Sequence, residues 1–185
     1  MHISKKHIVE AAIRSCKQFA RSQVSFFEER NGFLGWENWL TVDIARQLKN
    51  KNVIPFYQYP RRKSKLDIYV KKPFPIAVEI KTNYIDKAEV DWSKRHREGK
   101  RLLPERVYKD AKKLNRLDSK TEKLLLVSTC FDTHQSLTEY KKLVKEDLKK
   151  RFKSFKYHRW HNCSVGDGHN LLLELTSAAT VLFSH

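Results

Sequence analysis

Residues 64–81 read SKLDIYVKKPFPIAVEIK and contain two short stretches in which apolar and polar residues alternate. The apolar residues of each stretch share one face: Leu66, Ile68 and Val70 in the first, and Ile76, Val78 and Ile80 in the second. This period of two predicts two half-buried strands. The turn between them centres near Pro73, so the stretch predicts a hairpin.

On that register Asp67 lies opposite Glu79, and Lys81 returns to the same polar face. Directly opposed residues have Cβ atoms roughly 4.5–5.5 Å apart, and like charges there destabilise a sheet, so we expect a cation nearby. Converging carboxylates suit Mg²⁺ or Mn²⁺. The Lys81 ammonium is expected to orient a water or to stabilise charge on a phosphate. The same residues also fit an exposed hairpin face, where acidic and basic residues often alternate.

The pattern of Asp67, eleven intervening residues and then Glu79-Ile80-Lys81 resembles the active-site signature of the PD-(D/E)xK nuclease superfamily, which has the restriction-endonuclease-like fold. Leu66 stands where that family commonly has a proline. The resemblance implies metal-dependent cleavage of DNA. It assigns Asp67, Glu79 and the Ile80 backbone carbonyl to Mg²⁺ or Mn²⁺, and it assigns Lys81 to positioning the attacking water.

A helix is predicted from about residue 35 to residue 49 by an apolar stripe at Trp36, Leu40, Ile44 and Leu48. Glu37 lies at the edge of that stripe. The resemblance implies a catalytic glutamate on the helix before the hairpin that reaches the metal site. Glu37 fits this role, as a ligand of the metal or of a second metal ion, with Asp43 as the substitute if the helix register differs. A glutamate in a first turn is also favoured by the helix dipole alone.

The rest of the chain predicts an α/β fold with a mixed sheet in a single domain, residues 1–185. Further helices are predicted at about 5–29, 104–117 and 137–150, and further strands at about 53–59, 124–127, 155–160 and 170–176. Pro55 restricts its strand to an edge or an end. The order helix, three strands, helix, strand over about 35–129 resembles the core of the restriction-endonuclease-like fold, with an N-terminal helix and a C-terminal helix and strands added.

The chain carries 38 Lys and Arg against 21 Asp and Glu, which gives a net charge of +17. Such an excess favours a polyanionic partner. We therefore predict a nucleic acid, most simply double-stranded or branched DNA. A non-catalytic nucleic-acid-binding or assembly protein is the alternative, and a homodimer or a protein partner stays open. The predicted phosphate contacts are Arg61, Arg62, Lys63, Lys94, Arg95, Arg97, Lys109 and Lys113.

Residues 82–103 lack periodicity and are predicted to form an irregular insertion that contacts substrate. The local excess of basic residues from Lys141 to Arg159 predicts a second surface that contacts phosphates. The sequence has neither the apolar core of a signal peptide near its start nor an apolar run long enough for a bilayer. This pattern predicts a cytoplasmic protein without a membrane partner.

The cysteines are too few and too scattered for a disulfide framework, and Cys16 falls on the apolar stripe of its helix, so we expect it in the core. The spacing of the C-terminal histidines and cysteine does not reproduce a structural zinc site. These residues are His158, His161, Cys163 and His169. Histidines in a basic region that faces nucleic acid are the favoured interpretation.

Overall fold

The computed structural model of the chain describes residues 2–21, 33–58, 65–71, 74–85, 98, 103, 105–131, 137–151, 155, 157–165 and 169–177. These residues form a mixed α/β structure with four helices and one six-stranded sheet. The helices are α1 (Lys5–Arg21), α2 (Phe33–Leu48), α3 (Glu105–Asn115) and α4 (Leu137–Arg151). The strands are β1 (Val53–Gln58), β2 (Lys65–Val70), β3 (Ile76–Ile85), β4 (Glu122–Phe131), β5 (Tyr157–Asn162) and β6 (His169–Thr176).

The sheet has the order β1-β2-β3-β4-β6-β5. Among the described strands only β3 and β4 run parallel, and α3 forms the crossover between them, as a parallel pair requires. The apolar run Leu124–Val127 is buried within β4, which confirms the predicted central strand. β1 is an edge strand, so the position predicted for Pro55 is confirmed.

Two layers of helices cover the sheet. On one face α1 and α2 pack against β-strand residues such as Ile68, Val78 and Ile80. On the other face α3 and α4 pack against residues such as Leu125 and Val127. Amphipathic helices thereby bury their apolar stripes on both sides of β4, which explains its continuous apolar run. Within the described residues, no helix has the length and apolar character needed to cross a membrane.

The hairpin has the predicted register. Ile68 pairs with Val78, and Val70 pairs with Ile76, which is the register that would bring Asp67 opposite Glu79, but the pairing ends at Ile68. The predicted irregular insertion is wrong at its start, because β3 continues to Ile85 in parallel pairing with β4. Residues 86–97, 99–102 and 104, which contain most of that segment, lie outside the described part of the chain. Residues 22–29 of the predicted first helix also lie outside it.

The face predicted for Leu66 is wrong. Leu66 joins the α3–α4 cluster, whereas Ile68 joins the cluster on the opposite face. The reason is a kink in β1 at Phe56, which lies opposite Asp67 and has a φ of 52°. Beyond the kink Tyr57 turns to the face of Tyr69 and stacks on it, with ring centroids 4.5 Å apart. The two strands therefore rotate together at this point.

The cysteines Cys16, Cys130 and Cys163 are free and buried, which confirms Cys16 as a core residue.

Because of the kink, we predict that glycine at position 56 gives a more stable protein than alanine does. Phe56→Gly is expected to unfold with a free energy about 1 kcal/mol higher than Phe56→Ala, because glycine adopts a positive φ without steric cost. Both variants lose the same side chain, which is 41% exposed, so the difference isolates the backbone. Urea denaturation measures it. In an unstrained strand alanine would be the more stable of the two, and that order would contradict the kink.

Candidate active site

A gap opens in the sheet beside β3. Within the described residues β2 pairs with β3 only over Ile68–Val70, although it stays paired with β1 down to Lys65. The Asp67 carboxylate enters the gap, and its Oδ2 accepts a hydrogen bond of 2.6 Å from the Ile80 N–H. Because the N–H and C=O of one strand residue point to the same neighbouring strand, the Ile80 carbonyl faces this gap too.

The Lys81 ammonium lies at the centre of the charged groups near the gap. Its Nζ is 2.5 Å from Glu37 Oε1, 3.2 Å from Asp110 Oδ2 and 3.9 Å from Asp67 Oδ2. These carboxylates come from α2, α3 and β2, so elements from both sides of the sheet meet here. Burial opposes the charged form of Lys81, but the neighbouring carboxylates outweigh burial and raise its pKa to about 12. The ammonium therefore stays charged at neutral pH.

Glu79 is the most deeply buried acid of the site, with 1% of its side chain exposed. Burial, followed by the Asp67 and Asp110 charges, raises the pKa of Glu79 to about 9, although Lys113 acts in the opposite direction. Burial likewise raises the pKa of Asp67 against the effect of Lys81. Glu79 is therefore protonated at neutral pH when only protein groups surround it.

Lys113 of α3 contacts both the Glu79 carboxyl group and a backbone carbonyl. Its Nζ lies 2.6 Å from Glu79 Oε1 and 3.5 Å from Asp110 Oδ1, and it donates to the Lys65 carbonyl at 2.7 Å. Glu79 Oε1 and Asp110 Oδ2 are buried atoms whose lysine neighbours are close but do not meet hydrogen-bond geometry. Each carboxylate oxygen is thus compensated by charge and still lacks a directed donor.

Such oxygens fit a hard divalent cation. Mg²⁺ and Mn²⁺ prefer carboxylate and carbonyl oxygens, and Asp67, Glu79 and the Ile80 carbonyl supply this set around one gap. Among the described residues no three His, Cys, Asp or Glu side chains already form a group that could hold a metal ion. The lysine ammonium groups lie between the carboxylates instead, so a cation would have to replace part of that charge.

Helix α3 supplies residues that the sequence did not place in the site. Arg106, Asp110 and Lys113 recur at helical spacing and face the gap, where Arg106 donates to the Thr82 carbonyl and lies 3.9 Å from Glu37. Lys113, one of the predicted phosphate contacts, therefore lies within the charged cluster rather than on the exposed side of the helix. Lys109 does lie on the exposed side. Asp110 had one signal in the sequence, since it is the one acid among the basic residues of positions 109–116.

The predicted catalytic residues Glu37, Asp67, Glu79 and Lys81 are brought together. Asp43, the substitute for Glu37, lies elsewhere, because its carboxylate accepts hydrogen bonds from Ser15, Arg46 and Gln47 where α1 and α2 meet. Six of the predicted phosphate contacts lie outside the described residues: Arg61, Arg62, Lys63, Lys94, Arg95 and Arg97. In the C-terminal region His161 Nε2 lies 2.8 Å from Glu174, and Cys163 is buried.

Comparisons of this chain with protein-family models, with curated proteins and with solved structures found no match. Any functional interpretation therefore depends on the geometry and charge of the site itself.

The raised pKa of Glu79 predicts a pH dependence of stability. Between its ordinary pKa of 4.5 and its folded value of about 9, the folded protein binds more protons than the unfolded chain. The free energy of unfolding should therefore fall as pH rises through this window, by up to about 1.4 kcal/mol per pH unit. Asp67 acts in the same direction. Lys81 adds no slope there, because its contribution is complete below pH 10.5.

Glu79→Gln should flatten this slope in urea denaturation measured from about pH 5 to about pH 8. The matched control is Glu10→Gln, which removes an exposed carboxylate and should keep the wild-type slope. Equal slopes for the wild type and Glu79→Gln would show that Glu79 does not carry the effect.

Proposed function

We propose that this protein is a metal-dependent nuclease that hydrolyses phosphodiester bonds in DNA. We also propose that its sheet and helices form a restriction-endonuclease-like fold, with residues 35–129 as the core. The observation that carries the proposal is the meeting of Glu37, Asp67, Glu79 and Lys81, from three separate elements, at the gap beside β3. The element order of the core agrees with the resemblance drawn from the sequence.

The metal ligands in this proposal are Asp67, Glu79 and the Ile80 carbonyl, with Glu37 beside them as a further carboxylate. Bound Mg²⁺ or Mn²⁺ would polarise the phosphodiester, lower the pKa of the attacking water and stabilise the leaving oxygen. Glu79 can ligate only after it loses its proton, so metal binding should release protons and weaken as pH falls.

Lys81 acts as a fixed positive charge rather than as a base. With a pKa of about 12 it cannot accept a proton at neutral pH. Its ammonium can donate hydrogen bonds, so it can orient a water and stabilise the negative charge that develops on the phosphate. Glu37, 2.5 Å away, holds that ammonium in place.

The net charge of +17 supports a polyanionic substrate, and exposed Lys109 lies on the same helix as Asp110. Binding by charge alone, the alternative function, gives no reason to bury acids near a phosphate, since they would repel it. Double-stranded or branched DNA is therefore the proposed substrate, and a second copy or another protein could direct the cleavage.

The first test separates chemistry from binding. Asp67→Ala, Glu79→Ala and Lys81→Ala should each lower cleavage of DNA by at least about a hundredfold, because each removes a group aimed at the reacting phosphate or its metal. The measurement is single-turnover cleavage of linear, nicked, branched and single-stranded DNA and of RNA, with Mg²⁺ or Mn²⁺. Glu37→Ala should leave partial activity if one metal ion suffices.

Glu10→Ala and Lys71→Ala are the controls for this series and should cleave at the wild-type rate. Affinity for DNA should persist in the carboxylate variants, because neither variant removes a positive charge and Asp67→Ala removes a negative charge near the phosphate. If the folded wild type cleaves none of these substrates with either metal, the alternative of a binding protein gains. If it cleaves and the carboxylate variants match it, the site assignment is wrong.

The second test detects the metal without any reaction. Mg²⁺ at about a hundred times its dissociation constant should raise the free energy of unfolding of the wild type by about 2.7 kcal/mol. Thermal unfolding with and without the ion measures this, and isothermal calorimetry gives the affinity. Asp67→Asn and Glu79→Gln should lose the effect, whereas Glu10→Gln should keep it. A shift that persists in both site variants would place the ion elsewhere.

A further inference from the structure

A second charged surface lies near the β5 edge of the sheet, on the sheet face that α3 and α4 cover. Three lysines of α4 at positions 141, 145 and 149 follow one another at a spacing of four residues, so they form one row along the helix. The side chains of Lys145 and Lys149 are exposed, and the opposite side of the helix packs into the core through Tyr140 and Val144.

Strand β5 lies beside this row. Tyr140 of α4 packs edge to face on Trp160 of β5, with ring centroids 6.0 Å apart, which fixes the two elements side by side. Burial, and after it the charges of Lys145 and Lys149, lower the pKa of His158, so both lysines lie close to that strand.

The lysines of this row repel one another. Like charges four residues apart on a helix destabilise it. Within the described residues no carboxylate forms an ion pair with these lysines. Asp147, on the same helix, is turned inward and accepts a hydrogen bond from Tyr108. An external anion would therefore relieve a repulsion that the fold leaves in place.

The register of the sheet relates this surface to the candidate active site. His158 pairs with Leu175, Leu175 pairs with Leu125, and Leu125 pairs with Glu79. Directly paired residues share a face, so His158 and Glu79 stand in one row across the sheet. Three strand spacings separate them, which is about 14 Å along the sheet. One bound molecule of modest length can therefore span both places.

We propose that Lys141, Lys145 and Lys149 form a binding surface for the phosphate backbone of duplex DNA. The proposal rests on the proposed nuclease function and names the part of the protein that holds the substrate away from the cleaved bond. The lysine row spans eight residues of helix, or about 12 Å. A DNA strand carries one charge per about 3.4 Å along the axis, so the row matches three or four consecutive phosphates.

The test is the salt dependence of binding to a DNA duplex of about three helical turns, in EDTA so that no cleavage intervenes. Lys145→Gln/Lys149→Gln should bind more weakly, with a slope of log Kd against log salt shallower by about 2. The matched control is Lys51→Gln/Lys71→Gln, which removes the same charge from two exposed positions, one shortly before β1 and one directly after β2. The control should keep the wild-type slope, and thermal unfolding should show both variants folded.

An unchanged slope for Lys145→Gln/Lys149→Gln would overturn the proposal, and so would an equal loss in the control, since that would be an effect of bulk charge. Tighter binding of duplex RNA of the same length, with the same loss in the variant, would overturn the assignment to DNA. The two proposals can fail separately. If the wild type cleaves nothing but the slope difference is found, the binding surface is supported and the nuclease function is contradicted. If the wild type cleaves DNA but the slope is unchanged, the nuclease function is supported and the binding surface is contradicted.

Discussion

The polar centre of this protein depends on one buried ammonium. Lys81 has 12% of its side chain exposed and is shared by carboxylates of three different elements. Desolvated charges are tolerated only when they are paired, and removing one member of a buried pair typically costs about 3–5 kcal/mol. The ammonium therefore does more than neutralise one acid, because it allows Glu37, Asp67 and Asp110 to stand near one another. Without that charge the three carboxylates would repel.

The gap in the sheet makes this cluster accessible to side chains from both layers. A strand that leaves its neighbour exposes backbone groups, and buried backbone groups require partners. Here the side chains of the site supply them. Asp67 accepts a hydrogen bond from the Ile80 N–H. Arg106 donates one to the Thr82 carbonyl, and Lys113 donates one to the Lys65 carbonyl. The crossover helix α3 thus satisfies the open edges of β2 and β3 and delivers charge to the same place.

The buried carboxyl group of Glu79 lowers the stability of the fold. This carboxyl group is buried, its pKa is about 9, and the nearby ammonium lacks hydrogen-bond geometry. Its burial therefore costs free energy of folding. Perturbed acids of this kind concentrate at functional sites, where the charge is needed for chemistry. A structural ion-pair network could also hold Lys81, yet it would not need an acid whose oxygen lacks a directed donor. This contrast is the physical basis for preferring a cation site to a purely structural cluster.

The sequence by itself determined the hairpin and the register of its paired residues, because alternation along a strand and the position of a turn are local properties. The order of the core elements and the burial of β4 follow from equally local apolar patterns. Only the tertiary structure decided the face of Leu66, since the backbone kink at Phe56 arises between paired strands. It also decided that Asp110, Arg106 and Lys113 enter the site. Their positions depend on where the crossover helix settles over the gap, and that is set by long-range pairing of β3 with β4 and by packing, not by any local pattern of residues.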